Sequence, residues 1–172
     1  QYVEGYESGA AAARDAGQQA LAACEEAGDL SRSVEVMTAI AALHLDAGQH
    51  DAADKRLTDV LQRAQRIGNR NAEGYALHNL GVVAYRRGDA ERAIAWQKQA
   101  LALADSRGHR RLVGAAQYYL GLCYLLRGAS ADLEEAAACA DRGVELSLGS
   151  AEEAAARTVR ALVYRAQGDS GR

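Results

Sequence analysis

The sequence predicts an all-α fold of antiparallel helix hairpins repeated along the chain, and three observations carry that prediction. Glycines recur at a step of twenty residues, at Gly28, Gly48, Gly68, Gly88, Gly108 and Gly128, with Gly149 one late, Gly168 back in step and Gly9 one off the same grid. Between them, apolar residues return at steps of three and four, which places them on one face of a helix. The 172 residues include 39 alanines, no proline and no phenylalanine, so strong helix formers abound and no ring breaks a helix interior. Self-similarity at a fixed period marks a repeat architecture, whose core is buried between neighbouring units and needs no single centre.

The stretch from Asn71 to Gly108 shows the unit most clearly. Leu77, Leu80, Gly81, Ala84 and Tyr85 form one stripe, Arg87-Gly88-Asp89 a turn, and Ala93, Ile94, Gln97, Ala100, Leu101 and Ala104 the stripe of a second helix. Gly88 and Gly108 stand just past these stripes, where a residue free to take positive φ ends a helix without a Cβ penalty. Two helices make one forty-residue repeat.

Along the chain, Tyr2 to Tyr6 reads as the tail of a preceding helix. Ala10 to Ala27 reads as the second helix of an incomplete hairpin, with Ala13, Ala20 and Leu21 inward. Gly17 weakens that helix by about 1 kcal/mol relative to alanine. Asp29 and Ser31 offer caps for the next helix, which carries Val34, Ile40, Ala41 and Leu45 before Ala53, Leu57, Val60 and Leu61 close the hairpin. The helix from Arg110 to Arg127 is the most apolar. The turn from Gly128 to Asp132 reads as about three residues longer than its counterparts, with a shorter loop at Gly149 to keep the period.

A last helix from Ser150 to Gln167 carries Val159, Leu162, Val163 and Tyr164, but sets Arg160 in the column of Ile40, Leu80 and Leu120, as suits an end cap facing water. The expectation is seven helices of about seventeen residues between Ala10 and Gln167. They form a single array, residues 1–172, divided into a partial repeat 1–33, repeats 34–73, 74–113 and 114–153, and a partial repeat or cap helix 154–172. Both ends read as cut from a longer array in a larger protein.

Net charge is −3, which argues against the positive field that phosphate neutralisation requires, so no nucleic-acid partner is expected. No run of eighteen apolar residues spans a membrane and no leader opens the chain, pointing to the cytoplasm. Cys24, Cys123 and Cys139 are odd in number and lack CxxC spacing, so buried reduced thiols are expected, with Cys123 and Cys139 on the two helices of one hairpin. His44 and His50 flank a turn with Asp46 and Asp51, without the spacing of a metal site. No serine, cysteine or lysine sits with a histidine in a catalytic motif, so no cofactor, metal or enzymatic activity is expected. Arginine outnumbers lysine eighteen to two, the bias of a GC-rich bacterial genome.

The array resembles tetratricopeptide repeats. The residues that carry the resemblance are Leu77, Leu80-Gly81, Tyr85, Gly88-Asp89, Ala93 and Ala100-Leu101, and its small columns recur as Ala41, Gly81, Gly121 and Ala161, as Ala53, Ala93 and Ala136, and as Val60, Ala100 and Gly143. It departs from the family in lacking proline near Asp105 and in a period of forty rather than thirty-four. The longer period is similar to that of LGN-like spindle-orientation adaptors, bacterial quorum-peptide receptors and the repeat arrays of signalling ATPases. The resemblance implies a right-handed superhelix whose first helices line a concave groove. It also implies a non-enzymatic protein- or peptide-binding scaffold in a larger cytoplasmic signalling or regulatory protein. The other role it implies is a sensory or autoregulatory module of a transcription-regulating signalling ATPase, binding a small ligand.

In that register the groove receives Glu35, Thr38, Ala39, Ala42 and Leu45, then Tyr75, His78, Asn79, Val82, Tyr85 and Arg86, then Tyr118, Tyr119, Leu122 and Leu125, then Thr158 and Leu162. Tyrosine and arginine dominate binding hot spots because they join large contact area to a polar handle; Tyr85 and Tyr118 also fit a packing role. Asn79, one turn from Tyr75 and Val82 and expected within reach of Tyr118 or Tyr119, has an amide that can donate and accept along a peptide backbone. Thr38, Ala42, Ala115 and Tyr119 occupy the other places of the family's carboxylate clamp, so no such clamp is expected. Arg66, Arg70, Arg107, His109, Arg110 and Arg111 line one edge, either a solvated rim or a docking edge for an acidic partner. Exposed apolar ends at Tyr2, Tyr6, Leu162 and Val163 suggest weak self-association.

Overall fold

The computed structural model describes residues 2–129, 131–147 and 153–168. Among them the chain forms eight α-helices and no strand: α1 (Tyr2–Glu26), α2 (Leu30–Asp46), α3 (His50–Ile67), α4 (Arg70–Arg86), α5 (Ala90–Asp105), α6 (Arg110–Arg127), α7 (Asp132–Ser147) and α8 (Glu153–Ala166). The expected seven becomes eight because the glycine grid bounds eight intervals, each holding a helix. The first differs in kind: α1 runs for 25 residues straight through Gly9, so Tyr2 to Tyr6 is part of this helix and is not divided from it at Gly9. Gly9 is followed by four alanines and by no capping side chain, so nothing there offsets helical propensity. The shorter loop expected at Gly149 lies outside the described residues.

At four of the later turns, those of Gly28, Gly68, Gly88 and Gly108, glycine and cap act together. Gly28, Gly48, Gly68, Gly88, Gly108, Gly128 and Gly168 all have φ between +65° and +79°. At Gly88, whose φ is +79°, the reversal lets the Gly88 amide donate to the Tyr85 carbonyl at 2.9 Å and the Asp89 amide to the Ala84 carbonyl at 3.0 Å, closing the end of α4. Asp89 then opens α5, its carboxylate accepting from the Arg92 amide at 3.1 Å. Asp29 does the same for α2 and Asn69 for α4, and at α6 the Nδ1 of His109 accepts from the Leu112 amide at 3.3 Å. Each such cap contributes about 0.5–2 kcal/mol. Ser31 is not a cap; its hydroxyl accepts from Asn69 Nδ2 at 2.9 Å.

The chain divides into two compact units, Gln1–Asn79 and Leu80–Arg172. In the first, α1 packs on α2 and α2 on α3. The inward stripe of α1 is Gly17, Leu21 and Cys24, whereas Ala13 and Ala20 are exposed, contrary to expectation. The physical reason is close approach: a Cβ on Gly17 would stand 2.8 Å from Cγ1 of Ile40, so the bare backbone admits that side chain. Val34, Met37, Ile40, Ala41 and Leu45 of α2 face Ala53, Leu57, Val60, Leu61 and Ala64 of α3, all buried. Leu57 is fully enclosed, a burial that stabilises by about 1.5–3 kcal/mol. Asn69 joined to Ser31, and Arg63 at 4.0 Å from Glu25, tie successive turns along the edges.

In the second unit the closest packing again follows small residues. A Cβ on Gly81 would meet the buried Gln97 amide at 2.6 Å. One on Gly121 would stand 3.2 Å from Cγ1 of Val159 and 3.6 Å from the Ala136 carbonyl, and one on Gly143 would lie 3.6 Å from the backbone of Tyr118. Ala84, Ile94, Leu120, Cys123, Tyr124, Ala140 and Val163 fill the core between them. The column ends early, because Ala161 is exposed: α8 turns Ala156, Val159 and Val163 inward and Ala161 falls on its other side. Val163, expected at an open end, is fully buried.

The loop between α6 and α7 spans 128–131, four residues against three at 87–89, a smaller insertion than expected. Arg127 brackets it. Its guanidinium grips both oxygens of buried Asp132, donating from Nε to Oδ2 at 2.6 Å, and reaches Glu91 at the start of α5 at 3.2 Å. It also stands 5.5 Å from the centre of the Tyr124 ring. Arg160, the charge in a core column, lies 3.9 Å from Asp141, which also accepts from the Tyr164 hydroxyl at 2.7 Å. Leu162 remains exposed.

Candidate binding face

In the second unit, the end of α4 and the middle of α6 bring three tyrosines and an arginine together. The rings of Tyr85 and Tyr119 meet edge to face with centroids 5.9 Å apart at 77°, and Tyr118 meets Tyr119 at 5.0 Å and 86°. Edge-to-face pairs set the positive rim of one ring on the negative face of the next and add about 0.5–1.5 kcal/mol beyond area burial. Arg86, exposed at the end of α4, hydrogen-bonds the Tyr119 hydroxyl.

Burial raises the Tyr119 hydroxyl above the usual phenol range, Tyr118 raises it further, and the Arg86 cation pulls it partway back. Burial likewise raises Tyr85, with smaller contributions from Cys123 and Tyr118. Both hydroxyls therefore stay neutral at physiological pH, able to donate and accept. Tyr85, Tyr118, Leu122 and Leu125 pack against the core while remaining half-exposed, so the packing role foreseen for Tyr85 and Tyr118 is real and leaves surface over.

Leu126 and Leu162, 44% and 45% exposed, are the large apolar side chains most open to water among the described residues of this unit. Leu126 lies two turns from Tyr119 on the same face of α6. It was not expected, because a leucine in the most apolar helix reads as core; its spacing of seven from Tyr119 was the available signal. Val82 does not join this face. Leu80 through Ala84 are buried without a break, and Val82 at 2% exposure belongs to the core.

In the first unit the expected residues divide. Glu35 is exposed, Tyr75 and Asn79 are half-buried, and His78 is buried, its ring spent on the interior. Leu45 is buried as well. The Thr38 hydroxyl donates to the Val34 carbonyl at 2.7 Å, within its own helix. On the edge, Arg66 is exposed while Arg70 forms an ion pair at 2.8 Å with Glu73, whose carboxylate is nearly enclosed, so Arg70 serves the fold. In the second unit Arg107, Arg110 and Arg111 are exposed and His109 is the cap described above.

Among the described residues no His, Cys, Asp or Glu cluster could hold a metal, and no helix is long and apolar enough to cross a membrane. Near the candidate turn site, His44 meets Gln49 at 2.6 Å across the turn. Cys123 and Cys139 share the core of the second unit; burial lifts the Cys123 thiol to about 12 and the Cys139 thiol to about 11.

Helix hairpins closed by glycine turns, packed through small residues and bearing open aromatics on the first helix, define a helical-repeat interaction fold. Residues 32–106 match the tetratricopeptide repeat model, which supports a tetratricopeptide repeat array over this segment. Such repeats generally mediate protein–protein interaction, and they are scaffolds more than catalysts. No curated protein matches the chain.

Proposed function

We propose that this chain is a non-enzymatic protein- or peptide-binding scaffold, the repeat region of a larger cytoplasmic signalling or regulatory protein, with repeats 34–73, 74–113 and 114–153 as its units. The observation that supports this reading best is the half-buried ladder of Tyr85, Tyr119 and Tyr118 with Arg86 at its side. Rigid aromatic anchors with neutral hydroxyls beside one cation offer contact area and hydrogen bonds at small entropic cost, the makings of a hot spot. In the first unit, Tyr75 and Asn79 add a second pair of half-buried groups, and the Asn79 amide suits the alternating donors and acceptors of a peptide backbone.

The test is binding of an identified partner to the parent chain, Tyr119→Ala and Asn79→Ala. Each substitution should weaken binding by about 1–3 kcal/mol; Asn79→Ala should leave helicity and melting nearly unchanged, while Tyr119→Ala, which also gives up two ring contacts, should melt lower but stay helical. A partner indifferent to both would move the site off the first helices, to the rim at Arg107 and Arg110.

A further inference from the structure

The helices of the second unit are sorted by charge. Its first helices, α4 from Leu80 together with α6 and α8, carry seven arginines and a single carboxylate, Glu153. Its second helices, α5 and α7, carry seven carboxylates and three cations. The first unit shows no such division, since α2 bears Glu35 and Asp46 against Arg32.

Among these arginines, Arg127 lies on Asp132 and Glu91, Arg157 on Glu153 at 2.6 Å, and Arg160 beside Asp141. Arg110 and Arg111 stand exposed at the start of α6, while Arg86 and Arg165, exposed as well, flank apolar surface. Arg86 stands beside Tyr119, and Arg165 lies one turn from exposed Leu162. Apolar side chains open to water, bordered by cations and with a single carboxylate, Glu153, already paired to Arg157, on the helices that present them, make a surface complementary to one kind of ligand.

We infer that the first-helix face of this unit binds an acidic peptide segment of a partner protein. Its apolar side chains seat on Tyr119, Leu126 and Leu162, and its flanking carboxylates meet Arg86 and Arg165. The inference deepens the proposed function and rests on it. Recognition is by side-chain carboxylates along the segment, with no need for a chain terminus. Charges of this kind at a rim steer encounter and exclude basic competitors more than they add affinity.

The experiment presents the whole chain with a library of C-terminally amidated peptides built from Glu, Lys, Leu, Tyr and Ser. Peptides combining Glu with Leu or Tyr should be enriched and Lys-containing ones depleted, and binding should weaken as salt rises. Reversing both charges, Arg86→Glu with Arg165→Glu, should weaken the Glu-rich peptides about tenfold and admit the Lys-rich ones. Tyr119→Ala should weaken every bound peptide.

Peptides bound without charge preference, yet lost in Tyr119→Ala, would overturn the acidic specificity and keep the binding face. Peptides indifferent to Tyr119→Ala, or no peptide bound at all, would overturn the face itself. Equal selection by the parent and the double charge reversal would refute the roles of Arg86 and Arg165. A dimer that dissolves on that reversal would assign the face to a second copy of the chain, again against the inference.

Discussion

Gly121 lies where three helices meet, so adding a side chain there tests the packing of α6 against α7 and α8 directly. A Cβ at this position would meet Cγ1 of Val159 at 3.2 Å, closer than ordinary contact, and the Ala136 carbonyl at 3.6 Å and the Ala140 amide nitrogen at 3.9 Å, which are backbone and cannot step aside. Glycine inside a helix costs about 1 kcal/mol relative to alanine, so any substitution starts with that gain. Gly121→Ala needs only a few tenths of an ångström from Val159 and should end near neutral. Gly121→Leu adds further carbons with no space for them. It should cost about 1–3 kcal/mol net, the usual penalty of overpacking.

For a chain of this length that corresponds to a melting temperature lower by roughly 2–12 °C. Gly114 is the control: its Cβ would meet only Leu146 Cβ at 3.5 Å, an ordinary contact, so Gly114→Ala should keep most of the helical gain and melt higher. Thermal unfolding followed by circular dichroism at 222 nm ranks the variants. Gly121→Leu melting with the parent, or Gly114→Ala falling below Gly121→Leu, would refute the assignment of Gly121 to a closed interface.

Asp132 gives a pH signature. Hydrogen bonds from Arg127 hold its carboxyl below the usual carboxylate range, so the folded state releases this proton more readily than the unfolded one. The resulting stabilisation is full above about pH 4 and is lost as pH falls through the folded value. The melting gap between the parent and Asp132→Asn should therefore be widest near neutrality and close in acid; a gap independent of pH would count against the pairing. The Cys123 and Cys139 thiols, raised to about 12 and about 11, hold almost no thiolate at pH 8. They should resist iodoacetamide in the native chain and react promptly in denaturant, and native labelling as fast as free cysteine would contradict their burial. Exposed Ala13 and Ala20 on α1, and Ala161 with Leu162 on α8, should give weak self-association, which sedimentation showing a monomer at millimolar concentration would exclude.

The turns were legible because their chemistry is local: a glycine able to reverse, then Asp, Asn or His to cap. Gly9 misled because period alone was followed where the next residues are alanines and offer no cap. Ala13 and Ala20 read as inward from their helical spacing, but a stripe is buried only where another helix covers it, and sequence does not show which helix does. Val82, Tyr85 and Leu126 are apolar or aromatic at helical spacing alike, so pattern could not tell the core residue from the exposed one. Their separation comes from packing: Leu80 to Ala84 are buried, while Leu126 is left exposed. The charge sorting of the second unit was present in the letters, yet it has meaning only once first and second helices are told apart.

The edge ties bear on how the chain folds. Asn69 reaches back 38 residues to Ser31, Arg63 the same 38 to Glu25, and Arg127 36 to Glu91. Each links positions about one repeat apart, so forming it closes a loop of roughly forty residues, an entropic cost on the order of 3 kcal/mol beyond a constant term. Each closure brings together hairpins that can already have formed from local contacts. Barriers set by such short-range closures are low, and low contact order goes with rapid folding. The twenty-residue punctuation thus keeps every one of these searches local, and a chain growing from its N-terminus can bank each hairpin before the next is made.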